Sequence, residues 1–117
     1  MSKGPAELKS KELAIKIVYL FKKLTEEKKE FVMSKQLLRC GTSVGANVSE
    51  GVKAQSKADF VSKMSIALKE VNETSYWLEI LHETEYLDDV IFEDINNLVI
   101  ELIRILSSIV KTSKESL

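Results

Sequence analysis

Apolar residues recur at steps of three and four along four long stretches of this 117-residue chain, with short polar runs between them. That spacing predicts four amphipathic helices. In the first, over 7–27, Leu13, Ile17, Leu20 and Leu24 make one face. Ile15, Val18, Tyr19 and Phe21 fill much of the remaining circumference, and between Leu13 and Phe21 only Lys16 is charged. A helix apolar nearly all round is covered nearly all round, which in so small a domain predicts a second chain against it. In the second stretch, 33–53, Met33, Leu37, Cys40, Val44 and Val48 form a narrow seam. Gln36, Arg39, Ser43, Asn47 and Glu50 run beside it, and Gly41 and Gly45 flank its other side. Short polar side chains and glycines there predict a helix packed on more than one side. Gly51 suits either a last turn or a close contact.

The third stretch, 57–85, opens on Ser56 with Asp59 three residues on, the pattern of a side-chain cap with an acidic first turn. Phe60, Met64, Leu68, Val71, Ser75 and Leu78 share a face, with Glu70 and Trp77 at its edge. Ile66, Glu73 and Ile80 lie opposite at steps of seven, so this helix too expects two neighbours. The fourth, 89–112, carries Ile91, Ile95, Leu98, Leu102, Ile105 and Ile109 in a bundle-type heptad, with Asp88 or Asp89 to cap it. A strand over Val99–Ile103 is set aside because Asp94, Asn96, Asn97, Glu101 and Arg104 interrupt at helical spacing. Four helices with short connections predict an all-α, up-down-up-down antiparallel bundle forming a single domain, 1–117, with disordered ends at about 1–5 and 113–117.

One proline and four glycines agree with long helices. With 44% hydrophobic and 30% charged residues the composition is globular rather than disordered. The net charge is only −1, but it is unevenly spread. Residues 1–40 hold ten Lys/Arg against five Glu, whereas residues 41–117 hold seven Lys/Arg against thirteen Asp/Glu. Cys40 is the only cysteine, so no internal disulfide forms, and its place on the seam makes it a small buried hydrophobe. No apolar run approaches the ~18 residues a membrane span needs, and the first residues lack the apolar core of a signal peptide. A reducing, cytoplasmic setting is expected.

No reaction can be read from these residues. His82 is the sole histidine, and the Glu79–His82 pair lacks the second Glu-x-x-His that a di-metal bundle requires, so no metal is expected. The glycines at 41, 45 and 51 have no Lys-Ser/Thr after them and no strand before them, which excludes a phosphate loop. Ser43 has no base beside it. No nucleophile, acid–base pair, cofactor fingerprint or small-molecule substrate is indicated. Arg39 with Glu70 and Glu73 predicts an interhelical ion pair, expected to be largely desolvated. Lys9, Lys16 and Lys23 line one face of the first helix, and Lys22, Lys28, Lys29 and Lys35 extend the positive zone into the 25–35 turn. Such charges form either a solvated face or a phosphate-binding surface.

Gln36-Leu37-Leu38-Arg39 followed by Thr42-Ser43-Val44-Gly45-Ala46-Asn47-Val48-Ser49-Glu50-Gly51 resembles the QLxR…TSIxANIxEG signature of the four-helix-bundle 23S rRNA intervening-sequence protein family. Phe60, then Lys63 to Thr74 and Tyr76-Trp77-Leu78, resembles that family's second block. The likeness covers about residues 8–110 and departs chiefly at Cys40-Gly41. It implies a small bacterial protein, similar also to the accessory variability determinant of diversity-generating retroelements, a basic homopentamer that binds nucleic acid and a reverse transcriptase. From the resemblance and the residues together we expect a non-enzymatic homo-oligomer, a pentamer by the resemblance. Ile15, Tyr19, Ile66 and Ile80 are expected at its interface. Lys22, Lys28, Lys29 and Lys35 are expected to contact RNA or DNA. The alternative is a structural bundle that docks a partner protein.

Overall fold

The computed structural model describes residues 3–117 and consists of four antiparallel helices. They are α1 (Pro5–Glu26), α2 (Met33–Val52), α3 (Lys57–Glu83) and α4 (Asp89–Glu115). No strand occurs among the described residues. Each helix packs on its neighbours in sequence and α1 also meets α4, while no Cα pair across either diagonal lies within 8 Å. The chain is therefore a square, up-down-up-down bundle, 46 Å in its longest dimension.

One core runs through it, built from Leu13, Ile17, Leu20 and Leu24 of α1, Leu37, Val44 and Val48 of α2, Met64, Val71 and Leu78 of α3, and Leu98, Leu102 and Leu106 of α4. The predicted core faces of α3 and α4 are slightly rotated. On α3 the buried line is Val61, Met64, Ala67, Val71, Thr74, Leu78 and Leu81, and Leu68 is only partly buried. On α4 Val99, Leu106 and Val110 go inside, while Ile91, Ile105 and Ile109 sit at the edge. Both stripes are wider than one face can bury, so packing rather than periodicity selects which half turns in. Two further corrections concern the ends. Pro5 begins α1, and the run 113–115, expected in a disordered tail, completes the last turn of α4 with Ser113 buried. Met1 and Ser2, also expected to be disordered, lie outside the described residues.

Gly41 and Gly45 bring α1 and α2 close. A Cβ on Gly41 would stand 2.8 Å from Ile17 Cγ1, and one on Gly45 would stand 3.2 Å from the Ser10 carbonyl oxygen. Gly51 does the same toward α3, where a Cβ would meet Met64 Cε at 2.9 Å. Gly51 is thus both a residue of the last turn of α2 and a close contact with α3.

The caps explain why the helices start where they do. The Asp59 N–H donates to Ser56 Oγ at 3.1 Å, and the Ile91 N–H donates to Asp88 Oδ1 at 2.8 Å. The N-cap of α2 is Val32, which has nothing to offer. Its work is done by Glu30, whose carboxylate accepts from the N–H groups of Val32, Met33 and Ser34 at 3.1, 3.2 and 2.7 Å. Ser34 Oγ donates back to the Glu30 carbonyl at 2.8 Å, and the Glu30 N–H closes α1 on Leu24 O at 3.0 Å.

Candidate interaction surfaces

Arg39 leaves α2 toward α3 and meets two carboxylates. Its Nη1 donates to Glu70 Oε2 at 3.3 Å and its Nη2 donates to Glu73 Oε2. Trp77 Nε1 also donates to Glu73 Oε2, at 3.2 Å. The hydrogen bond from Arg39 holds the Glu73 carboxyl below the usual carboxylate range and raises the guanidinium further. The expectation of a desolvated contact needs correction. Glu70 is only 12% exposed in its side chain, but the Arg39 side chain is 51% exposed. The long Arg39 side chain lies over the α2–α3 seam and covers Glu70 from outside. Directly beneath, the Thr74 hydroxyl donates to Glu70 O at 2.8 Å and lies 3.4 Å from Cys40 Sγ. Cys40 is fully buried and burial pushes its thiol up, which keeps it protonated and unreactive.

The lysines of α1 and the following turn fall into paired and unpaired sets. Lys9 reaches Glu101 at 2.9 Å and Lys16 reaches Asp94 at 2.7 Å, both across to α4. The hydrogen bond to Glu101 raises the pKa of Lys9. Two of the three heptad lysines thus form an ionic clip between α1 and α4, while Lys23 lines the cleft at the end of the bundle. Lys22, Lys28, Lys29 and Lys35 are all exposed, and none has a carboxylate within 4 Å among the described residues. Lys22 Nζ lies 5.5 Å from the centroid of the Tyr19 ring. Lys29 stands in the left-handed region at φ 54°, where a non-glycine residue is uncommon.

The lysine-bearing turn shares its end of the bundle with the α3–α4 turn. Between them opens a polar cleft of about 540 Å3, lined by Lys23, Lys28, His82, Glu83, Glu85 and Asp89 among others. His82 Nε2 is 2.7 Å from Asp89 Oδ1, and the ring stacks on Phe92 at 4.0 Å. The histidine thus fastens the end of α3 to the start of α4. Among the described residues no group of three or more His, Cys, Asp or Glu side chains could hold a metal ion. No helix is long and apolar enough to cross a membrane.

The outward faces of α1 and α3 carry the apolar residues that the core does not use. On α1, Leu8, Ile15, Val18 and Tyr19 are exposed, Tyr19 by 67%. On α3, Ile66 and Tyr76 are exposed and Ile80 is half-buried. The sequence reading named Ile15, Tyr19, Ile66 and Ile80 but missed Tyr76, although it shares the outer side of α3 with Ile66 and Ile80. It also missed Glu30, because the residue lies two positions ahead of the N-cap, within a charged turn where one carboxylate does not stand out.

The model of the 23S rRNA-intervening sequence proteins matches residues 7–108, nearly all of the four-helix core just described. The chain belongs to this family. A crystal structure of a protein of unknown function from the S23 ribosomal protein family, from Bacteroides thetaiotaomicron VPI-5482, superposes with a TM-score of 0.89. It is 56% identical, with 91% of this chain and 98% of that one covered. None of the curated proteins compared with the chain matches it. Membership in the 23S rRNA-intervening sequence family thus accords with an all-α bundle.

Proposed function

We propose that this 23S rRNA-intervening sequence protein is a non-enzymatic homo-oligomer that holds nucleic acid by its phosphates. The observation that carries the reading is the outer face of α1. An apolar strip there adjoins Lys22, and the next turn supplies Lys28, Lys29 and Lys35, all exposed and without carboxylate partners. Assembly covers the strip and repeats the lysines around a common axis. The resemblance to the retroelement accessory proteins favours five subunits. The lone buried Cys40 suits a reducing cytoplasm.

The test has two parts. Sedimentation at micromolar concentration is expected to show a closed oligomer, and a monomer would remove the basis of the proposal. RNA and DNA binding, measured at low and moderate salt, is expected to weaken steeply with salt because it rests on counterion release. Changing Lys22, Lys28, Lys29 and Lys35 to Glu is expected to abolish it. A second reading has its own observation: Glu83, Glu85 and Asp89 line the cleft beside Lys28, a mixed-charge rim suited to a protein partner. Absence of binding at low salt, or binding indifferent to the four changes, would favour that docking role.

A further inference from the structure

We propose that the α1–α2 turn takes unpaired, single-stranded nucleic acid, with a base stacked on Phe31 and its phosphates on the lysines around that ring. The inference rests on the phosphate-binding reading above and names the class of strand the site accepts. Lysines alone favour duplex over single strand, because paired strands carry one charge per about 1.7 Å of axis and either strand alone about half that density. An exposed aromatic ring reverses the order, since a base reaches it only after leaving its partner.

The turn presents such a ring. Phe31 is 51% exposed and takes no part in the core, and Val32 beside it is 74% exposed. Lys28 and Lys29 stand three and two residues before Phe31 and Lys35 four after it, within about 14 Å of extended chain. Across 28–35 the sole carboxylate side chain is Glu30, and it is turned in to the N–H groups of Val32, Met33 and Ser34. The exposed Glu26 and Glu27 come before that run, on the α1 side. The segment therefore offers solvent three cations, one aromatic face and no anion. Its backbone is also held still. The Glu30 N–H donates to Leu24 O at 3.0 Å, Ser34 Oγ donates to the Glu30 carbonyl at 2.8 Å, and the Val32 N–H donates to the Glu30 carboxylate at 3.1 Å. These bonds bracket Phe31 on both sides, so seating a base costs little further ordering. Of the other exposed rings, Tyr19 belongs to the strip that assembly covers and Tyr76 lies out on α3. Two apolar side chains are too few for a lipid anchor, which needs a whole helix face or an acyl chain.

The experiment measures fluorescence anisotropy at low salt with three labelled probes: an oligothymidine strand, the duplex it forms with oligodeoxyadenosine, and an abasic strand of the same length. Wild type is expected to prefer oligothymidine to both of the others. Phe31→Ala is expected to weaken oligothymidine binding by about 5- to 150-fold, the loss of one stacked base, and to leave duplex binding unchanged. Phe31→Leu keeps the apolar bulk without the π face and is expected to behave like Phe31→Ala, whereas Phe31→Trp retains the wild-type preference. The position is half in solvent, and unchanged thermal melts check that each variant folds. Duplex or abasic strand bound as tightly as oligothymidine would overturn the stacking while leaving phosphate contact intact, as would a Phe31→Leu protein that binds like wild type. A wild type that binds none of the three probes sinks the phosphate reading and this inference with it. Phe31-dependent binding to phosphatidylserine vesicles in that case assigns the turn to a lipid surface instead.

Discussion

Glu30 is the residue on which the turn between α1 and α2 depends, and replacing it tests that account directly. It is 8% exposed, and its carboxylate accepts three backbone N–H groups at the start of α2. Those donors have no partner within the helix. With Glu30→Ala all three lose their acceptor, and Val32 cannot replace it. Losing a side-chain cap costs about 0.5–2 kcal/mol, and the negative charge at a helix N-terminus adds about 0.3–1 kcal/mol. A loss of about 2 kcal/mol is therefore expected. For a domain of this size that is a fall in Tm of roughly 6–12 °C at fixed protein concentration. Glu30→Gln keeps the shape and one acceptor oxygen, so about half that loss is expected.

The pH dependence separates the cap from mere packing. Burial alone would raise the Glu30 carboxyl, but the N–H groups of Ser34, Met33 and Val32 outweigh it and hold the group below its ordinary value. A depressed folded pKa contributes stability that is full above the unfolded value, about 4.3. That contribution fades as pH falls through the folded value. The gap in Tm between wild type and Glu30→Gln is thus expected to be widest at neutral pH and to shrink in acid. Glu30→Ala with an unchanged melt, or a Gln gap that ignores pH, would refute the reasoning.

Three further outcomes follow from the packing. Arg39→Ala is expected to cost about 1 kcal/mol, less than the ~3–5 kcal/mol of a fully buried pair, because the guanidinium is half in solvent; urea denaturation measures it. Lys29→Gly and Glu85→Gly are each expected to raise stability by about 0.5–1 kcal/mol, since both residues hold positive φ, 54° and 68°, that glycine adopts without strain; thermal melts check this. Gly41→Ala is expected to lower the Tm despite alanine's better helix propensity. The new methyl would stand under 3.0 Å from two Ile17 carbons, and overpacking of that kind costs about 1–3 kcal/mol.

The helices and their order were legible because apolar periodicity carries over twenty or more residues at a time. Ser56 and Asp88 announced their caps for the same reason: a polar acceptor sits immediately before a periodic run. What the pattern could not settle was rotation. Leu68 and Leu106 belong to stripes of similar hydrophobicity, yet Leu106 is buried and Leu68 is not, because neighbouring helices decide which side is covered. Pairing between distant residues was equally hidden. The Arg39 partners were within reach of sequence reasoning because long, complementary side chains border one seam. How much water Arg39 keeps depended on the angle at which it crosses that seam.

The lysines show how far composition carries a functional argument. Ten basic residues in the first forty suggest a positive surface, but the fold spends Lys9 and Lys16 on Glu101 and Asp94 of α4. Charge that is paired across a helix interface steers nothing. Of the exposed lysines without a carboxylate partner, Lys22, Lys28, Lys29 and Lys35 gather at one end of the bundle, with Glu30 buried among them and turned inward. One of the three carboxylates that a count of charges sets against those lysines, Glu30, is occupied by the N–H groups of α2, where it offsets the helix dipole rather than the lysines, while Glu26 and Glu27 stay exposed beside them. The end of the bundle is thus more positive toward solvent on the α1–α2 side than its sequence suggests. Across the cleft, Glu83, Glu85 and Asp89 limit that field to one side. A phosphate chain approaching this end is attracted to the α1–α2 turn and repelled from the α3–α4 turn. If subunits repeat around an axis, a continuous track requires the α1–α2 turns to lie together.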